Sequence, residues 1–179
     1  MKVDVNISSN RLIIMRTVRY TTFLFAVMIM IIPLHAQDQL PQATIKSIDG
    51  QNVEFNEIIE DQKVTIISFW ATWCAPCKKE LDAIADLYDT WKADYDVELI
   101  AISVDDARAA AKVKPMVAEK GWPYRIFIDT NQSLMRSLHF QTVPYTIVVD
   151  QNKKIVYNHS GYLPGDELEL EDKVASLSE

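Results

Sequence analysis

Cysteine is scarce in this chain: two residues in 179, standing three apart at Cys74 and Cys77. That excludes a disulfide-rich scaffold, which needs several bridges. Histidine is nearly as rare, with His35, His139 and His159 alone. None has a ligand-like spacing to the cysteines, so neither a metal site nor a bound cofactor is expected. Four glycines and seven prolines without periodicity rule out collagen-like and low-complexity chains. No segment recurs at the roughly 20 to 50 residue period of solenoids and propellers. Only one long apolar run exists, near the start, which excludes a multi-span membrane protein. Basic residues are also short, 18 against 25 acids. Beyond residue 36 the balance is 14 to 24, net −10, a charge that repels phosphate backbones and argues against nucleic-acid partners. What remains, at 49% hydrophobic and 24% charged, has the composition of one ordinary globular domain.

The apolar run is YTTFLFAVMIMIIPL, Tyr20 to Leu34, preceded by Arg16 and Arg19 and followed by Leu34-His35-Ala36 and a polar stretch. Basic, apolar and small-residue regions in that order have the layout of a secretory signal peptide. The run is short of the roughly 20 residues that span a bilayer, and Pro33 interrupts it near its outer end. Residues 1–36 are therefore expected to be a leader removed after Ala36, with a retained N-terminal anchor as the alternative. A start at Met15 gives a tidier leader than Met1. The mature domain, 37–179, is expected to be exported to an oxidising, periplasm-like compartment.

Within it, Ala43 to Phe55 alternates around Asp49-Gly50 as a hairpin. Val64 to Trp70 and Val97 to Val104 are nearly continuous in apolar residues, as strands buried on both faces are. Between them, from Pro76 to Ala93, apolar residues recur at three and four, the period of an amphipathic helix. The pattern then predicts a helix over 107–120, a strand over 124–128 and a short helix over 132–139. A second hairpin follows, from 145–150 and 155–159, and a closing helix runs from 166 to 177. This alternation, with a late antiparallel pair, predicts an α/β domain: a central mixed sheet with helices on both faces and an extra N-terminal hairpin.

The chemistry sits at Trp73-Cys74-Ala75-Pro76-Cys77, where a buried strand passes into the first helix. Residues three apart on a helix share a face, so the two sulfurs can bond. Cys74 falls at the helix start, where unpaired N–H groups and the positive dipole end favour a thiolate. In such motifs the thiol pKa drops from about 8.5 to roughly 7, worth on the order of 2 kcal/mol. Cys77, one turn deeper, is placed to resolve a mixed disulfide formed at Cys74. A bridge closing so short a loop does little for stability, which weighs against a purely structural role.

The segment Ser68-Phe69-Trp70-Ala71-Thr72-Trp73-Cys74-Ala75-Pro76-Cys77-Lys78-Lys79-Glu80-Leu81 resembles the active-site stretch of thioredoxin-fold proteins. Its wording is most similar to the exported TlpA/ResA-type thiol–disulfide oxidoreductases, and the resemblance extends over nearly all of 40–178. It implies a thioredoxin-like fold and a redox-active Cys74–Cys77 pair. By the same resemblance Pro144, in Thr142-Val143-Pro144-Tyr145-Thr146, matches the cis-proline beside the reactive sulfur. Glu80 matches an acidic residue that relays protons for the pair, although the sequence alone reads equally well as a solvated helix carboxylate. Ser68 stands where cytosolic thioredoxins have a buried aspartate, so Glu80 is the only carboxylate offered to Cys77. Trp73, Val143 and Tyr145 are the candidate substrate contacts, and Trp70 reads as core. His139 and His159 read as structural or surface residues.

The function expected is reduction of disulfides in other exported proteins. The resemblance implies apocytochrome c-type clients and a membrane thiol as electron donor; a monomer is expected. Disulfide donation uses the same atoms and stays open. A thiol peroxidase of the same fold and a non-catalytic peptide-binding module are the remaining alternatives.

Overall fold

The computed structural model describes residues 40–178. The expected leader, its cleavage after Ala36 and the choice between Met1 and Met15 lie outside the described residues. Among those described, no helix is long and apolar enough to cross a membrane.

Seven strands form one sheet: β1 (Thr44–Ser47), β2 (Asn52–Glu54), β3 (Thr65–Trp70), β4 (Glu98–Ser103), β5 (Arg125–Ile128), β6 (Tyr145–Val149) and β7 (Ile155–Ser160), in the spatial order β2-β1-β5-β4-β3-β6-β7. β3, β4 and β5 run parallel, and the pairings to β1, β2, β6 and β7 are antiparallel. Among the described residues the α-helices are α1 (Ala75–Tyr95), α2 (Val113–Lys120), α3 (Ser133–Ser137) and α4 (Asp166–Ala175). This is the thioredoxin-like mixed sheet with an added N-terminal hairpin, β1-β2.

β3 and β4 are buried at every residue, so both faces of the sheet are covered. That is why their sequences carry apolar side chains at consecutive positions instead of alternating ones. α1 lays Leu81, Ile84, Tyr88 and Trp91 on the core, and α4 packs beside it with Leu170 and Val174. On the opposite face Phe69 meets Phe140 at 4.7 Å between ring centroids.

Three helices are shorter than the periodicity predicts, the last of them only by two residues, ending at Ala175. Residues 110–112 form a 3-10 turn and α2 begins only at Val113. Pro115 explains the delay: in a helix starting at 107 it would lie in the interior, with no N–H for the carbonyl of residue 111. Beginning at 113 puts it in the first turn, where that N–H is not needed. Upstream, Asp106 accepts the N–H groups of Arg108 and Ala109 and folds the chain into a turn. α3 stops at Ser137 because His139 takes a left-handed φ of 58°, a helix terminator that only glycine or asparagine would have signalled.

Candidate active site

β3 ends at Trp70, and Ala71 to Cys74 turns the chain into α1. Buried Asp105, just past β4, clamps that turn. Its carboxylate accepts Thr72 N–H at 2.8 Å, Thr72 Oγ1–H at 2.8 Å and Ser103 Oγ–H at 2.7 Å. The clamp follows from register: Trp70 pairs with Ser103 in the parallel β3–β4 ladder, so the two chain ends leave the sheet side by side. From the other side Lys78 donates to the Thr72 carbonyl at 3.0 Å. The loop carrying the cysteines is thereby fixed before any substrate arrives.

Cys74 is the N-cap residue of α1, with Pro76 in its first turn. It is joined to Cys77 by a disulfide. Cys74 Sγ also accepts the N–H of Cys77 at 3.2 Å, as an N-cap oxygen would. The same donor lies at the N-terminal, positive end of a 21-residue helix, where negative charge is favoured. Cys77 is fully buried, whereas Cys74 retains 4% exposure.

Pro144 faces this pair from the loop before β6. The Val143–Pro144 peptide bond is cis, and the Val143 carbonyl oxygen lies 3.6 Å from Cys74 Sγ. Trp73 is 68% exposed, one of the few large apolar side chains left in solvent, and adjoins the sulfur in sequence. Val143 is half-buried beside Cys74 Sγ, with Pro144 buried next to it in the chain. Tyr145 does not join them through its ring. Strand alternation turns it to the other face, where it stacks on Phe140 at 4.4 Å.

Glu80 is the largest departure from a surface reading of α1. It is buried, at 4% exposure, one turn beyond Cys77 on the same helix face. Its carboxylate accepts Thr146 Oγ1–H at 2.7 Å and Ser68 Oγ–H at 3.2 Å. Ser68 and Thr146 are register partners on β3 and β6, so both hydroxyls point to the α1 face and hold the carboxylate between them. Burial pushes its pKa up to about 7, with the two hydroxyl bonds and His159 pulling the other way. The solvated-carboxylate reading is therefore set aside.

The sequence reading missed three members of the site: Asp105, Ser68 as a donor rather than a lost acceptor, and Thr146. His159, read as a structural or surface residue, lines a small cavity together with Glu80.

The sequence pattern of the AhpC/TSA family matches residues 36–158. Among curated proteins, the thiol–disulfide oxidoreductase ResA of Bacillus thuringiensis is 28% identical over 131 residues, 73% of each chain. A solved thioredoxin-like protein from Porphyromonas gingivalis is 42% identical with a TM-score of 0.71, covering 79% of this chain and 92% of its own. StoA from Bacillus subtilis is 25% identical with a TM-score of 0.59, over 74% of this chain and 97% of its own. With a disulfide bridging the helix start and these relatives, the chain belongs to the AhpC/TSA family of thioredoxin-like proteins, as a thiol–disulfide oxidoreductase of the kind that ResA and StoA represent.

Proposed function

We propose that this oxidoreductase works as a reductant of disulfides in other exported proteins, with Cys74 as nucleophile and Cys77 as resolving thiol. The observation that supports the assignment of roles is the seat of Cys74 Sγ: it caps α1, accepts the Cys77 N–H at 3.2 Å and lies 3.6 Å from the Val143 carbonyl oxygen.

In the dithiol form the Cys74 thiolate attacks one sulfur of the client disulfide, forming a Cys74–client bond and releasing the client's other sulfur as a thiolate. Cys77 gives its proton to the Glu80 carboxylate and, as a thiolate, attacks Cys74 Sγ. The enzyme disulfide forms, the client's second sulfur leaves, and two electrons have passed to the client. The client chain lies over Trp73 and beside Val143 and Pro144. Contact through the Val143 backbone carbonyl reads no side chain, so the site is tolerant of client sequence. Likeness to ResA supports clients of the apocytochrome c type and a membrane thiol that restores the dithiol.

Direction rests on potential. Equilibration of the Cys74/Cys77 couple with glutathione is expected to place it near the roughly −270 mV of thioredoxin-like reductants. A value near about −120 mV, where dedicated disulfide donors lie, would reverse the proposed direction.

The domain is proposed to act as a monomer outside the cytoplasm, after loss of residues 1–36. N-terminal sequencing of the exported protein should begin at Gln37; a product still beginning at Met1 or Met15 would make the segment an anchor instead.

A further inference from the structure

Ser68, Thr146 and His159 form one row across the sheet. Ser68 pairs with Thr146 between β3 and β6, and Thr146 pairs with His159 between β6 and β7. Directly opposed residues project from the same face, here the face that α1 and α4 cover. The row runs from the fully buried centre of the sheet to its edge strand, and Glu80 sits at the inner end. At the outer end His159 Nε2 lies 3.2 Å from Asp166 Oδ2, and the two side chains remain 33% and 27% exposed. Between the two ends is a cavity of about 10 Å³ lined by Glu80, Thr146, Tyr157, His159, Tyr162 and Asp166. A void of that size holds about one water.

We propose that Glu80 exchanges its proton with solvent through this cavity and the His159–Asp166 pair, behind the disulfide, and not through the surface where clients bind. This rests on Glu80 serving as the base for Cys77. In the resolving step the S–H bond of Cys77 breaks and an O–H bond forms on Glu80. That bond then breaks as the proton passes to the imidazole of His159, directly or over one water, and the imidazolium returns it to solvent. An imidazole accepts and releases protons near neutral pH. Its Nε2 faces Asp166, whose charge offsets the imidazolium, and Nδ1 is left to accept. The other titratable groups lining the cavity are otherwise engaged: Tyr157 donates to Glu169 at 3.2 Å, and the Glu167 carboxylate accepts from Tyr162 at 2.9 Å and from the Gly165 N–H at 3.0 Å. The arrangement matters because a docked client covers the Trp73 and Val143 surface at the very moment Cys77 must lose its proton. The rear exit stays open.

Reduced protein mixed with excess 5,5′-dithiobis(2-nitrobenzoate) reports both steps at one wavelength. The first thiolate is released as Cys74 is capped, and the second as Cys77 displaces the cap. His159→Gln and His159→Ala are expected to leave the first phase unchanged and to slow the second about tenfold near neutral pH. Imidazole added to His159→Ala should restore the second phase, which repair of a purely structural defect would not do. A second phase within about twofold of wild type in both variants overturns the proposal, as does a slowed phase that imidazole leaves unmoved. Loss of the first phase in wild-type protein would instead overturn the assignment of Cys74, so the two failures are separable.

Discussion

Insulin reduction driven by dithiothreitol is expected to fall to the uncatalysed rate in both Cys74→Ser and Cys77→Ser, a loss of roughly a hundredfold or more, but for different reasons. Without Cys74 no sulfur is both accessible and anionic, since Cys77 is fully buried one turn into α1. Without Cys77 the first attack proceeds and then stalls, because the remaining serine hydroxyl does not displace a thiolate from sulfur. Cys77→Ser should therefore accumulate a stable mixed disulfide with a client peptide, about one per protein, visible as a mass increase that dithiothreitol removes. Cys74→Ser should accumulate none. Equal trapping by the two variants would mean that the N-cap position does not select the nucleophile. The discriminating structure is local: Cys74 Sγ receives the Cys77 N–H at 3.2 Å and sits at the positive end of the helix, where an anion is favoured. Alkylation of the reduced wild-type protein should report the same asymmetry, with Cys74 reacting at neutral pH and Cys77 protected.

How much of this the sequence disclosed divides along a physical line. Features set by neighbours in the chain were legible: the doubly buried β3 and β4, the amphipathic α1, the cysteines at its start and Pro76 in its first turn. Features set by strand register were not. Nothing near Glu80 in sequence announces that Ser68, twelve residues back, and Thr146, 66 residues on, both donate to it. Asp105 is likewise silent: its partner Thr72 is 33 residues away, and only the parallel pairing of β3 with β4 brings them together. Helix lengths failed for smaller reasons. Pro115 could have been read as a first-turn residue, shortening the 107–120 helix to what is found. The left-handed turn at His139 had no glycine to mark it. Tyr145 was grouped with Val143 and Pro144 by adjacency, yet the two-residue period of a strand sends its ring into the stack with Phe140 and Phe69.

Glu80→Gln is expected to make the oxidised protein more stable and the enzyme worse. Folded, Glu80 keeps its proton up to about pH 7, against 4.5 for a free glutamate. Between those values the folded state binds more protons than the unfolded one, so stability falls as pH rises. Below about pH 4.5 the group is protonated in both states and costs nothing of this kind; above about pH 7 the whole penalty is present, about 3 kcal/mol for a carboxylate this buried. Glutamine fills the same space with no charge, and the Ser68 and Thr146 hydroxyls can rotate to accept from its amide. Urea unfolding of the oxidised forms should show the variant ahead by about 2 to 3 kcal/mol at pH 8 and level with wild type at pH 4. No gain at pH 8 would mean that the carboxylate is not held against its preference for water. On the proposed role of Glu80 as base for Cys77, the same variant should resolve mixed disulfides on the order of a hundredfold more slowly near pH 7 and lose the inflection there in its pH profile. That α1, β3 and β6 hold this carboxylate in the core although burial favours its neutral form supports the proposed role in proton transfer.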